Sequence, residues 1–331
     1  MRINDITLPY PDKTLYVIGN GFDLMHGVPS TYYNFRNFLG KGSQMRSVLE
    51  NYLTREDLWA DFEESLAHID SGAMLNVVDD WMRIYGACES GTASGDFHDA
   101  VESAVKPAKT IMNGLPAYFR QWVESLRPGG CGRPLEKVLK KEAMYLNFNY
   151  TEFLETIYGI PREHILYIHG CRTRKDQELV LGHAPCRADV WSRTKAGGIP
   201  RGTKISSGSG RLKITSGHKK PEDPSLIEQA REKAAHYISH YEDAMEKHTE
   251  ALIYANRDFF LKQANVRDIV IIGHSMASVD EPYFQEIRSR SGSSTDANWH
   301  VGWHKEEDRT RARLLIKKLG LEAGQSQLVR V

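Results

Sequence analysis

Four short segments carry the residue types that bind and cleave small polar ligands: Gly19-Asn20-Gly21-Phe22-Asp23, Asn147-Phe148-Asn149-Tyr150-Thr151, His169-Gly170 and Gly273-His274-Ser275. A side-chain amide can orient a water, an imidazole can move a proton near neutral pH, and glycine lets a ligand approach the backbone closely. Backbone N–H groups at a helix start, where the partial charge is positive, favour phosphate. A lone G-x-G says little, and Leu24 occupies the last glycine position of the six-residue dinucleotide fingerprint. The four segments share a setting, however. Each closes an apolar run: "TLYVI", "AMYL", "EHILYI" and "VRDIVII".

Runs this short, rich in β-branched and aromatic residues and stopped by polar or glycine turns, read as strands. Helical patterns follow them, so the fold class is α/β, with a mostly parallel Rossmann-like sheet, right-handed crossovers and large helical insertions. Ligands of such sheets bind beyond the carboxyl ends of the strands, where these turns would converge. Residues 1–331 read as one domain carrying a helical insertion over 40–142 and a basic loop plus long helical insertion over 186–265. In the first, "REDLWADFEESLAHID" places Leu58, Phe62, Leu66 and Ile69 on one helix face, with Glu63 exposed. In the second, a stretch rich in Gly, Ser, Lys and Arg predicts a loop or lid. One long helix or two follow, with His236, His240 and His248 on a solvated face. "ELVLGH" is a further short apolar run in which His183 reads as structural.

Composition narrows the classes. Lys plus Arg and Asp plus Glu both number 43, which argues against a mainly electrostatic nucleic-acid binder. No apolar stretch approaches the roughly 18 to 20 residues that span a bilayer. The start "MRINDITLPYPDK" lacks the apolar core of a signal peptide, so a cytoplasmic protein with no membrane partner is expected. The four cysteines are scattered, and Cys171 reads as structural. No metal site is expected, although Asp23, Glu63 and Asp280 with His26 would be the ligands of a metal-dependent nuclease. "IIGHSMA" nearly matches a nucleophile elbow, with Ser275 as nucleophile and His300 or His304 as base.

The stretches "IGNGFDLMHGVPSTY", "WADFE", "NFNYTEFLETIY", "IHG", "LGH" and "IIGHSMASVDEPYF" together resemble the AbiH family of bacterial phage abortive-infection proteins. That resemblance implies a role in defence against bacteriophage, with a phage-derived trigger or partner subunit and a homo-oligomer as expected partners. The same succession is similar to the sirtuin-type NAD-binding fold. This second resemblance implies a dinucleotide ligand, with NAD as substrate and no metal. It places Gly19 and Gly21 at the pyrophosphate, Asn149 beside the nicotinamide ribose, His169 as the catalytic histidine, and Gly273 with Ser275 at the adenosine half. Asn20, Phe22, Asp23, His26, Thr151, His274 and Asp280 complete the expected binding set. Asp23 stands where the sirtuin pattern has Ser and Thr151 where it has Asp, and no zinc-binding cysteine quartet is present. The implied reaction is NAD hydrolysis at the nicotinamide–ribose bond; a non-catalytic nucleotide sensor is the alternative.

Overall fold

The computed structural model describes residues 1–85, 93–130, 132–185, 224–291 and 297–331. Six short strands, Thr14–Ile18 (β1), Met144–Asn147 (β2), Ile165–Tyr167 (β3), Asp268–Ile272 (β4), Asn298–Trp303 (β5) and Ser326–Arg330 (β6), form one all-parallel sheet in the order β3-β2-β1-β4-β5-β6. Every residue of β1 and β4 is buried, because helices cover both faces. That is why these two read as unbroken apolar runs rather than alternating ones. Along β1, Tyr16 and Ile18 enter the larger core and Leu15 and Val17 the smaller, as the two-residue period of a strand requires. The strand order reverses between β1 and β4. At such a switch point the chains leave the sheet in opposite directions and open a crevice at its carboxyl edge.

Between β1 and β2 run Asn20–Met25 (α1), Tyr32–Leu39 (α2), Gln44–Tyr52 (α3), Phe62–Ser65 (α4), Ser71–Tyr85 (α5) and Ala93–Ser125 (α6). The "REDLWADFEESLAHID" segment is not one helix; only α4 is helical there. Leu53 bridges Ile69 in antiparallel fashion, while Thr54 N donates to His68 O at 2.9 Å and Asp70 N to Tyr52 O at 2.7 Å. These bonds close the segment into a loop that still buries Leu58, Phe62, Leu66 and Ile69. Phe153–Tyr158 (α7) follows β2, and Pro224–Ala244 (α8), Thr249–Ala255 (α9) and Arg257–Leu261 (α10) precede β4. The long helical segment is thus broken at residues 245–248. Glu281–Arg290 (α11) and Glu306–Lys318 (α12) complete the smaller core's cover. No described helix is long and apolar enough to cross a membrane.

"ELVLGH" adds no strand to the sheet. Its His183 N donates to Met245 O at 3.0 Å and its carbonyl accepts from Lys247 N at 2.8 Å, so it pairs with the break between α8 and α9. A Cβ on Gly182 would collide with Met245 O. Cys171 is buried, with Sγ 3.2 Å from Thr173 Oγ1. Cys88, Cys131, Cys186 and the basic stretch expected to be a loop or lid, up to residue 223, lie outside the described residues.

The glycines after β1 and β4 serve each other. Gly19 N donates to Ile272 O at 3.0 Å and Gly21 N to Gly273 O at 2.7 Å. A Cβ on Gly19 would stand 2.5 Å from His274 Cα, and one on Gly21 2.6 Å from Gly273 Cα. The missing Cβ atoms thus admit the neighbouring turn, a packing role absent from the sequence reading. Gly273 also has φ of 65°, a conformation that L side chains adopt at a cost, and a Cβ there meets the Phe22 amide. Gly273→Ala should lower the unfolding free energy by at least about 1–3 kcal/mol. Urea unfolding measures it, and an unchanged midpoint would show that the two turns can separate freely.

Candidate active site

The crevice holds a cavity of about 700 Å³. Its wall brings together Gly19, Asn20, Gly21, Asp23, Asn149, Thr151, His169, Gly273, His274, Ser275 and Asp280. Two of the expected binding residues are not in it. Phe22 is packed in the larger core. His26 lies beneath the wall, its Nδ1 2.7 Å from Phe22 O and its Nε2 2.7 Å from Tyr158 Oη, so it joins α1 to α7 instead of facing a ligand.

On the α1 side, Asp23 is buried and fully engaged. Asn149 Nδ2 donates to its Oδ1 at 3.0 Å and Thr151 Oγ1 to its Oδ2 at 2.7 Å. Asn147 Oδ1 accepts from the Asn149 backbone amide at 3.1 Å, which fixes the turn that presents Asn149. Burial pushes the Asp23 carboxyl up to about 7, against the pull of Thr151, Asn149 and the Arg172 guanidinium. Asn20 is held by Ser30: its Nδ2 donates to Ser30 O at 2.9 Å and its Oδ1 accepts from Ser30 Oγ at 2.5 Å.

The opposite side is built around an ammonium that the sequence did not single out. Lys247, 1% exposed, places Nζ against Glu63 Oε2 and 3.5 Å from Asp280 Oδ1. Tyr32 Oη donates to Glu63 Oε1 at 2.6 Å. Glu63 therefore lines the cavity in an ion pair, contrary to the expectation of an exposed helix residue. Asp280 precedes α11 yet makes no side-chain capping bond; its carboxylate turns to Lys247. Burial would discharge Lys247, but Asp280 and Glu63 outweigh it and hold the ammonium above its ordinary value. Burial likewise pushes Asp280 up, with Lys247 pulling it back.

Two histidines meet this carboxylate. His274 Nδ1 accepts from Met276 N at 2.8 Å, so the ring proton sits on Nε2, 3.5 Å from Asp280 Oδ2. His169 Nε2 lies 3.9 Å from Asp280 Oδ1 and, although buried, has no hydrogen-bond partner. Its bond to the Phe148 backbone therefore uses Nδ1, which carries the proton and leaves Nε2 a lone pair. Burial, Lys247 and the neighbouring His274 ring hold His169 well below its ordinary value, while burial and Lys247, against the pull of Glu63, push His274 down to about 3. Burial and the nearby ammonium favour the neutral form of both rings. The expectation that His169 titrates near neutrality is thus corrected: it is a hydrogen-bond acceptor rather than a poised base.

The sequence profile of the bacteriophage abortive infection family AbiH matches residues 15–303. The chain belongs to the AbiH family. The match runs from within β1 to the end of β5 and includes the turns after β1, β2, β3 and β4 that line the crevice. No curated protein and no solved structure matches this AbiH chain.

Two other chemistries fare poorly in this geometry. Among the described residues no three His, Cys, Asp or Glu side chains are grouped to hold a metal ion. An ammonium already stands between Glu63 and Asp280, where the nuclease reading needs a cation, and His26 is turned away. As for a serine hydrolase, His300 Nε2 lies 3.1 Å from Asp268 Oδ1, and Asp268 begins β4, at the opposite edge of the sheet from Ser275. His304 Nδ1 is 3.4 Å from Val331 O and makes no bond to Ser275.

The raised Asp23 carboxyl gives a pH-dependent stability. Because the folded state binds this proton more tightly, the contribution is fully present below about pH 4 and is lost as the pH rises through about 7. Compared with Asp23→Asn, the natural protein should lose up to about 4 kcal/mol of unfolding free energy over that range. Parallel urea titrations between pH 4 and pH 8 would measure the difference, and superimposable pH profiles would contradict the assignment.

Proposed function

We propose that this abortive-infection protein acts by binding NAD in the crevice and hydrolysing its nicotinamide–ribose bond. The observation that carries this reading is the pairing, at the switch point, of an amide and a neutral imidazole with a free acceptor in one cavity. Strand order 3-2-1-4-5-6 with a glycine turn after β1 is the arrangement of dinucleotide-binding sheets. Cleavage of an N-ribosyl bond passes through an oxocarbenium-like state, as glycoside hydrolysis does. Asn149, whose Nδ2 is committed to Asp23, keeps Oδ1 to accept from the attacking water. His169 Nε2 accepts from a ribose hydroxyl and raises electron density on the ring as positive charge develops. Two carboxylates against one ammonium, Glu63 and Asp280 with Lys247, leave a net negative charge that favours that cation.

Asp23 and Thr151, the two departures from the sirtuin-type pattern, are bonded to each other. An acid and a hydroxyl therefore both stand at this point of the crevice, in hydrogen-bond contact. Buried aromatic side chains back the other wall, where Trp59 and Phe62 stack at 5.3 Å and Trp122 also lines the cavity.

Nicotinamide release by the purified protein, with NAD binding followed by calorimetry, tests the proposal. Asn149→Ala and His169→Ala should each reduce release by about 10² or more while leaving NAD binding measurable. Binding without release by the natural protein would return the crevice to a sensing role. Absence of both would remove the dinucleotide altogether.

A further inference from the structure

Beyond its charge, Lys247 has no role in the chemistry outlined so far; it is buried behind the polar wall, paired to Glu63 and Asp280, which do line the cavity. It comes from the short break between α8 and α9, and two backbone bonds to His183 hold that break against residues 181–183. Its Nζ reaches two carboxylates from distant parts of the chain, Glu63 in α4 and Asp280 at the start of α11. The groups facing this cluster are Tyr32 on α2, Tyr150 after β2, His169 after β3, His274 after β4 and Tyr283 on α11.

The hydrogen-bond directions are interlocked. Asp280 is an acceptor at both oxygens as long as a cation holds it ionised. Oδ2 then faces the Nε2 proton of His274, and Oδ1 faces the lone pair of His169 Nε2 across 3.9 Å. Two acceptors facing each other cannot bond, which accounts for the orphaned buried nitrogen. A ligand hydroxyl can donate its one proton to His169 Nε2; satisfying both acceptors at once takes a donor with two protons, such as a water. If Asp280 took a proton, it could donate to His169 and close that acceptor.

We propose that Lys247 is a positioning residue: pinned between Glu63 and Asp280, its ammonium fixes Asp280 as an acceptor and so keeps His169 Nε2 open to a hydroxyl donor. This rests on the hydrolase reading for the identity of that donor, but the arrangement of charges and protons does not depend on turnover. The lysine itself touches no reacting atom. It acts through Asp280.

The test is imidazole ¹⁵N spectroscopy of histidine-labelled full-length protein between pH 5 and pH 8, comparing the natural chain with Lys247→Met and Lys247→Arg. In the natural protein His169 and His274 should remain neutral single tautomers throughout. In Lys247→Met the two carboxylates lose their cation, and at least one of these rings should become protonated in the range where free histidine titrates, near about pH 6.5. Lys247→Arg should restore the neutral tautomers. If Lys247→Met does not fold, Lys247→Gln, which keeps a donor but not the charge, carries the same comparison. Rings that stay neutral and unshifted in the charge-removing variant would overturn the proposal, whatever its activity. In the nicotinamide assay the same variant should lower kcat more than it raises KM. If the natural protein releases no nicotinamide while the imidazole shift is present, the hydrolase reading fails and the role of Lys247 stands.

Discussion

A buried ammonium between two carboxylates is the constraint on which the site depends. Lys247 is almost wholly removed from water, and an ion so placed is tolerated only when paired and hydrogen bonded. An uncompensated buried charge typically costs roughly 3–5 kcal/mol. The chain therefore has to bring Glu63, Lys247 and Asp280 together, although they are separated by most of its length. Several local irregularities follow from that demand. The helical pattern around residue 62 is interrupted so that a single turn offers Glu63. The segment before β4 breaks so that Lys247 can turn inward, and Gly182 leaves room for the backbone pairing that holds it.

The sheet supplies the complementary constraint. Reversal of strand order between β1 and β4 opens the crevice, and three glycines let the turns on either side of it touch. On one side the backbone is closed by these contacts and the side chains of Asp23, Asn149 and Thr151 are locked to one another. The other side carries a charge cluster whose protons have only one consistent arrangement. Arg172 ties the helical cover to this floor: its guanidinium engages Glu152 at 2.7 Å and donates to Val123 O at 3.0 Å and Leu126 O at 2.6 Å, the carbonyls at the end of α6. Polar floor and aromatic wall are thereby fixed relative to each other before any ligand enters, which is what preorganised electrostatic stabilisation requires.

Much of this was legible in the sequence. The apolar runs and the turns that end them gave the strands and the edge at which chemistry gathers, because fully buried parallel strands have an unmistakable composition. Asn149, His169 and His274 stand in the turns that this logic singles out, and the crevice brings them together; Asp280 enters as a candidate metal ligand and through the resemblance. Lys247 was not, since a lysine within "MEKHTE" carries the pattern of a solvated helix, and only the pairing of residue 183 with its neighbours reveals that it points inward. Glu63 was read as exposed for the same reason. His26 differs in the opposite sense: its type fits ligand binding, but a 2.7 Å bond to Tyr158 uses it for structure, while the glycines line the cavity and also let two turns approach closely. Burial also reversed the expected behaviour of His169, which no local pattern records.

The most direct test of the account is a crystal structure of the protein with carba-NAD, in which a methylene replaces the oxygen of the nicotinamide ribose ring and the glycosidic bond cannot be hydrolysed. The account predicts the dinucleotide along the carboxyl edge of the sheet, with a hydroxyl of the nicotinamide ribose within hydrogen-bond distance of His169 Nε2, and Asn149 beside the glycosidic carbon. A dinucleotide seated elsewhere, or one whose ribose leaves the His169 nitrogen unpartnered, would contradict it.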